Sequence, residues 1–144
     1  MNELVIKGKA CKEASYELMN LNEQAKNNIL EHIAQSLEAY TDVILDANKK
    51  DIEQAKQNKK PDSFIDRLTL IHSRMEAIIA GVRKVISLPD PCNITLNEWQ
   101  QGELNIIKRS VPIGVIVMIY EARPNVSVDA ATLCLKSKCM FPTW

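Results

Sequence analysis

The feature that most constrains this chain is a change of period at Leu88-Pro89-Asp90-Pro91. Before it, apolar residues recur at intervals of three and four, the spacing of one helix face; after it they alternate or run together, as strands do. Two prolines so close together bias the residues before them away from helix, so the helical part ends there. A single change of this kind places the chain in the α/β class, with its helices first.

Within the helical part, Ile29, Ile33, Leu37, Tyr40 and Ile44 form one apolar stripe, and Glu31, Gln35 and Glu38 fall on the wet side. Asn22-Glu23 reads as a helix start, because an Asn oxygen can accept from a free first-turn N–H. Thr41-Asp42 marks a second start or a kink. Pro61, in the polar run QNKKPDS, cannot continue a helix interior. A short amphipathic piece follows at 64–70. A last helix fits 73–87, with Met75, Ile78, Ile79, Val82 and Ile86 on its buried face.

Beyond the prolines, Ile94, Leu96 and the run 103–107 alternate well enough for two strands, with Gln101-Gly102 as the hairpin turn. Residues 111–120, VPIGVIVMIY, are apolar nearly throughout and rich in Val and Ile. That is the composition of a parallel strand covered on both faces. Residues 121–125 then form the turn at its carboxyl end, and 126–138 return to helical spacing. Ligands of open α/β sheets sit outside the carboxyl ends of strands, where the next helix offers free N–H groups and a positive dipole end. A site is therefore expected at 121–127.

Charge narrows the partners. Eighteen basic and eighteen acidic residues leave a formal charge of zero, so no global field gathers nucleic acid or an anionic membrane. The N-terminus has no uninterrupted apolar core of a secretory signal. The longest apolar run, 115–120, is far short of the roughly 20 residues that span a bilayer. A cytoplasmic protein without membrane or nucleic-acid partners is expected. Cys11, Cys92, Cys134 and Cys139 form no CxxC pair, and His32 and His72 have no partner at metal spacing, so reduced thiols and no metal are expected. Cys134 reads as a small core residue. By residue type alone, Asn125 reads as a cap for the following helix; Glu121 and Arg123 read either as a surface ion pair or as a contact to a cofactor or a substrate phosphate.

The segment VPIGVIVMIYEARPNVSVDAATLCLKS, with its turn Tyr120-Glu121-Ala122-Arg123-Pro124-Asn125, closely resembles the glutamate-5-semialdehyde dehydrogenases (γ-glutamyl phosphate reductases) of the aldehyde dehydrogenase superfamily. LDANKKDIEQA at 45–55 and DRL at 66–68 agree with the helical N-terminal region of that family. The resemblance covers residues 10–137. It implies an NADPH-dependent reductase of proline biosynthesis that converts L-glutamyl 5-phosphate to L-glutamate 5-semialdehyde and phosphate through a cysteine thioacyl intermediate. It also implies that Asn125 donates to the oxyanion, that Glu121, Ala122, Arg123 and Pro124 pass beside NADPH, and that the hairpin is an oligomerisation arm joining copies of the chain. The family's cysteine lies downstream of anything in this chain.

The resemblance divides the chain into a helical region at 1–91, a hairpin arm at 92–110, the start of an NADP-binding domain at 111–137 and an aberrant tail at 138–144. Where the family continues with a second strand ending Leu-Arg-Gly-Gly, this chain has KCMFPTW. Read one base later, codons for that tail permit Asn-Ala-Cys-Phe-Leu-Arg-Gly, so a frameshift after Ser137 is the expectation. An incomplete nucleotide fold, inactive alone, follows, and its apolar strand would stand exposed. The alternative is a non-enzymatic helical and hairpin module that associates with full-length subunits.

Overall fold

The computed structural model describes residues 3–121 and 123–140. Its helices come first: α1 (Glu3–Leu18), α2 (Glu23–Ala39), α3 (Thr41–Gln57), α4 (Asp62–Leu68) and α5 (His72–Ser87), followed by β1 (Thr95–Gln101), β2 (Leu104–Arg109) and α6 (Pro124–Lys136). The starts follow from local chemistry. Asn22 Oδ1 accepts from the Ala25 N–H at 2.8 Å and caps α2. Tyr40 closes α2 and opens α3, so the two helices meet at the predicted junction. Pro61 stands just before α4, where its missing N–H costs nothing.

The core forms where α2, α5 and α6 meet. Leu30, Ala34, Ile79 and Val82 are buried together, with Leu37, Val128 and Leu135 against them. A second cluster, Leu45, Met75 and Ile78, joins α3 to α5 and shares Leu37 and Val128. The face predicted for α5 is therefore the buried one. The stripe predicted for α2 is met in part: Ile33, Leu37 and Ile44 pack against the two clusters, but its ends do not. Ile29 is 37% exposed and Tyr40 is 62% exposed, whereas Leu30 and Ala34 are fully buried. The small side chain of Ala34 lets the helices come together closest on the neighbouring face, and the stripe lies at the edge of the core, bordering an open groove as well.

Asn48 ties the short helix in place. Its Nδ2 donates to the Leu68 carbonyl at 2.9 Å and its Oδ1 accepts from the Leu70 N–H at 2.8 Å, so a buried amide satisfies the chain between α4 and α5.

The hairpin is antiparallel, with Trp99 opposite Ile106 and Gln101 opposite Leu104, and an irregularity between Thr95 and Asn97. Gly102 turns it at a φ of +63°, a value that favours glycine. It forms the two-stranded sheet of the described residues. Every residue of β1 is exposed, and in β2 Ile106 alone is half-buried. Trp99, 43% exposed, is only partly covered by its own hairpin.

Residues 111–120 do not form the buried strand that their composition alone specifies, and much of their apolar surface stands exposed, as expected for a strand without its neighbours. Among the described residues they have one ladder contact, a parallel bridge from Val115 to Met140. The Met140 N–H donates to the Gly114 carbonyl at 2.8 Å, and the Ile116 N–H to the Met140 carbonyl at 2.9 Å. Ile113 and Ile119 are 85% and 98% exposed. The physical reason is the one that makes parallel strands interior: such a strand needs a neighbour on each edge and a layer on each face, and among the described residues Met140 is the one edge partner. The described fold is thus helical with a two-stranded antiparallel sheet. Among the described residues, no helix is long and apolar enough to cross a membrane.

Candidate functional site

The turn predicted at 121–125 is shorter than expected, because α6 begins at Pro124 rather than Val126. Proline at the first helical position has its φ already set for helix and has no N–H to leave unpaired. Asn125 therefore sits inside the first turn of α6. It does not cap it: the capping position belongs to Arg123, whose side chain makes no capping bond. Asn125 Nδ2 instead donates to Asp129 Oδ2 at 3.2 Å, one helical turn along. A carboxylate only accepts, so this bond fixes which way the amide faces and leaves a second Nδ2 hydrogen for another acceptor. Tyr120 Oη and Ser127 Oγ, 2.5 Å apart, fasten the approach to the same turn.

Glu121 and Arg123 are exposed, and no ion pair joins them. Arg123 has no hydrogen-bond or ion-pair partner among the described residues. Ala122 lies outside the described residues.

Pro124, Asn125, Arg123 and Asp129 form one wall of an open cleft of about 420 Å³; α4 and the start of α5 form the other, through Asp66, Arg67, Arg74 and their neighbours. Arg74 builds that wall. Its Nη1 donates to the Asp66 and Thr69 carbonyls at 2.6 and 2.7 Å, and its Nη2 to Asp66 Oδ1 at 3.0 Å. Arg67, like Arg123, is exposed and unpartnered among the described residues. Sequence reasoning assigned no role to Arg67, Arg74 or Asp129. The one available signal was Asp129, four residues after Asn125 and so on the same helix face.

A buried polar network holds α6 in position. Lys26, wholly buried on α2, donates from Nζ to Asp90 Oδ1 at 2.7 Å and to the Lys136 carbonyl at 2.8 Å. Lys136 Nζ donates to Asn27 Oδ1 and the Ile86 carbonyl, and Lys138 Nζ to the Met19 carbonyl. Burial pushes the Asp90 carboxyl upward. The Lys26 hydrogen bond, the Cys92 N–H and the charges of Lys26 and Lys138 together outweigh it and hold Asp90 below the usual aspartate value. Residues 138–140 follow closely on α6: Lys138 and Cys139 are buried and Met140 makes the bridge to Val115. Cys134 is buried, and both burial and the adjacent Cys139 push its thiol upward, away from the thiolate form that attacks carbonyls.

The assembled turn can hold negative charge. It offers an oriented amide hydrogen and a guanidinium unpartnered among the described residues, groups that stabilise an oxyanion or a phosphate.

Comparison with known proteins gives consistent relatives. The chain is 47% identical over 138 residues to the gamma-glutamyl phosphate reductase of Anoxybacillus flavithermus, a match over 95% of this chain and 33% of that protein. The enzymes of the same name from Caldicellulosiruptor bescii and Geobacillus kaustophilus are each 46% identical over the same shares. Among solved structures, the gamma-glutamyl phosphate reductase of Thermotoga maritima superposes with a TM-score of 0.94 at 37% identity, covering 97% of this chain and 34% of that one. That of Saccharomyces cerevisiae superposes with a TM-score of 0.91 at 26% identity, covering 99% and 38%. No family model matches the chain. The chain spans about a third of the length of these relatives and matches their N-terminal part.

Proposed function

We propose that this chain supplies the oxyanion-holding turn of a γ-glutamyl phosphate reductase, the proline-biosynthesis enzyme that reduces L-glutamyl 5-phosphate to L-glutamate 5-semialdehyde and phosphate, and that alone it does not turn over substrate. The observation that carries this reading is Asn125, whose amide is oriented by Asp129 at the mouth of a cleft, within a backbone shared with the reductases. As attack on the acyl phosphate places negative charge on the carbonyl oxygen, the free Nδ2 hydrogen of Asn125 stabilises it, and Asp129 keeps that hydrogen aimed. No thiol in the described residues lines the cleft, so the nucleophile comes from elsewhere.

NADPH, when bound, supplies the hydride. Glu121, Ala122, Arg123 and Pro124 are this chain's part of its site. The fit rests on place: these residues run directly into the first turn of α6 beside the oriented Asn125 amide, where a hydride has to reach the acyl carbon, while the Arg123 guanidinium itself faces the cleft. The hairpin is the surface that joins copies: Leu96, Trp99, Leu104 and Ile107 are all at least 40% exposed on it, more apolar area than a two-stranded ribbon covers by itself.

The test splices residues 1–137 onto the remaining two thirds of the Geobacillus kaustophilus reductase and measures phosphate-dependent NADP reduction with L-glutamate 5-semialdehyde. The spliced protein turns over, the 144-residue chain does not, and Asn125→Ala lowers kcat by roughly 10²–10³. A folded spliced protein with no turnover refutes the reading.

A further inference from the structure

Three of the chain's five arginines line the one cleft that Asn125 faces, and they are not equivalent. Arg74 is spent on Asp66 and two carbonyls and serves as wall. Arg67, on α4, and Arg123, at the start of α6, face the cleft from different elements without a partner among the described residues. An unpartnered guanidinium is a ready bidentate partner for a carboxylate or phosphate. The about 420 Å³ between them lies within the roughly 300–1,000 Å³ usual for small-molecule sites.

Two separated cationic points call for a ligand anionic at both ends. We propose that Arg67 is a specificity-determining residue that grips the α-carboxylate of a glutamyl substrate, while the reacting γ end lies at Asn125 and Arg123. This rests on the reductase reading and adds to it how the cleft tells an amino-acid acyl group from a plain one. The acyl carbon has to reach Asn125, so the end carrying the α-carboxylate extends toward the α4 wall. Arg67 is the unpaired cation there.

The experiment uses the ¹⁵N-labelled 144-residue chain, whose few arginine Nε–H signals are resolvable by NMR. It is titrated with L-glutamate, with 4-aminobutyrate, which lacks the α-carboxylate, and with glutarate, which lacks the ammonium. L-Glutamate should shift the signals of Arg67 and Arg123 but not those of Arg83 or Arg109. 4-Aminobutyrate should bind at least about 10-fold more weakly, the loss expected for one charge-assisted hydrogen-bonded pair, while glutarate keeps the Arg67 shift. In Arg67→Gln the gap between L-glutamate and 4-aminobutyrate should close, and in Arg67→Lys part of it should return. An unchanged helical circular-dichroism melt of each variant shows that the fold is intact. Equal binding of L-glutamate and 4-aminobutyrate to the unsubstituted chain, a gap that survives Arg67→Gln, or no shift in the cleft at tens of millimolar ligand each overturns the assignment. The spliced enzyme decides the reductase reading separately: turnover there with no Arg67-dependent gap here condemns the role of Arg67 alone.

Discussion

Replacing Asp90 by Asn should damage this fold more than replacing its buried partner Lys26 by Met. The Lys26 side chain is 0% exposed and that of Asp90 17% exposed, and they meet at 2.7 Å. Asp90→Asn keeps the shape and an oxygen for the Cys92 N–H, 2.9 Å away in the native chain, but leaves the ammonium buried with only neutral acceptors. Removing one partner of a buried pair costs about 3–5 kcal/mol, because the surviving charge is uncompensated. Lys26→Met removes the fully buried charge and retains much of its length. It strands the Lys136 carbonyl, while Asp90 keeps the Cys92 N–H and some water, so about 1–2 kcal/mol is expected. Against a typical total of about 5–15 kcal/mol, the difference is easily measured. Urea unfolding followed by circular dichroism at neutral pH gives both values, and Lys26→Met in the Asp90→Asn background should recover part of the loss. Acid adds a second readout. Asp90 has a depressed folded pKa, so its contribution is fully present above the unfolded aspartate value of about 3.9 and is lost as pH falls through the lower folded value. The gap between the native chain and Asp90→Asn should therefore shrink below about pH 4. Losses within 1 kcal/mol of each other, or a larger loss in Lys26→Met, would refute the reasoning.

Three further outcomes are expected. Asp129→Ala in the spliced enzyme should lower kcat with little change in the KM for NADP, because the Asn125 amide loses the acceptor that aims it; steady-state kinetics read this, and equal changes in both constants count against the positioning role. Asn48→Ala should cost about 2–4 kcal/mol in urea unfolding, since the Leu68 carbonyl and the Leu70 N–H both lose their buried partner. Ile119→Lys, at a side chain 98% exposed, should leave unfolding within about 0.5 kcal/mol of the native chain and reduce its light scattering at high concentration.

Much of the helical region was legible from local chemistry. The Asn22 cap, the break at Pro61, the buried face of α5 and the stop at the two prolines depend on residues a turn or less apart, and the hairpin announced itself by a glycine between alternating runs. That the turn at 121–125 is a place for a site was an expectation from strand, turn and helix following one another in sequence, whereas the roles given to Asn125 and Arg123 came from the resemblance to the reductases and not from their spacing. The rest needed the assembled molecule. Which face of α2 is buried depends on where α5 and α6 lie. That Arg67 shares a cleft with Arg123 depends on α4 and α6 converging from distant parts of the chain, a long-range packing fact with no local signature. Lys26 looks like a solvated helix lysine until Asp90 and the end of α6 close over it. Residues 111–120 show the converse. Their composition specifies a buried strand, but strand pairing and burial belong to neighbours rather than to the segment, and with Met140 as its one edge partner among the described residues much of the same apolar sequence lies open to water.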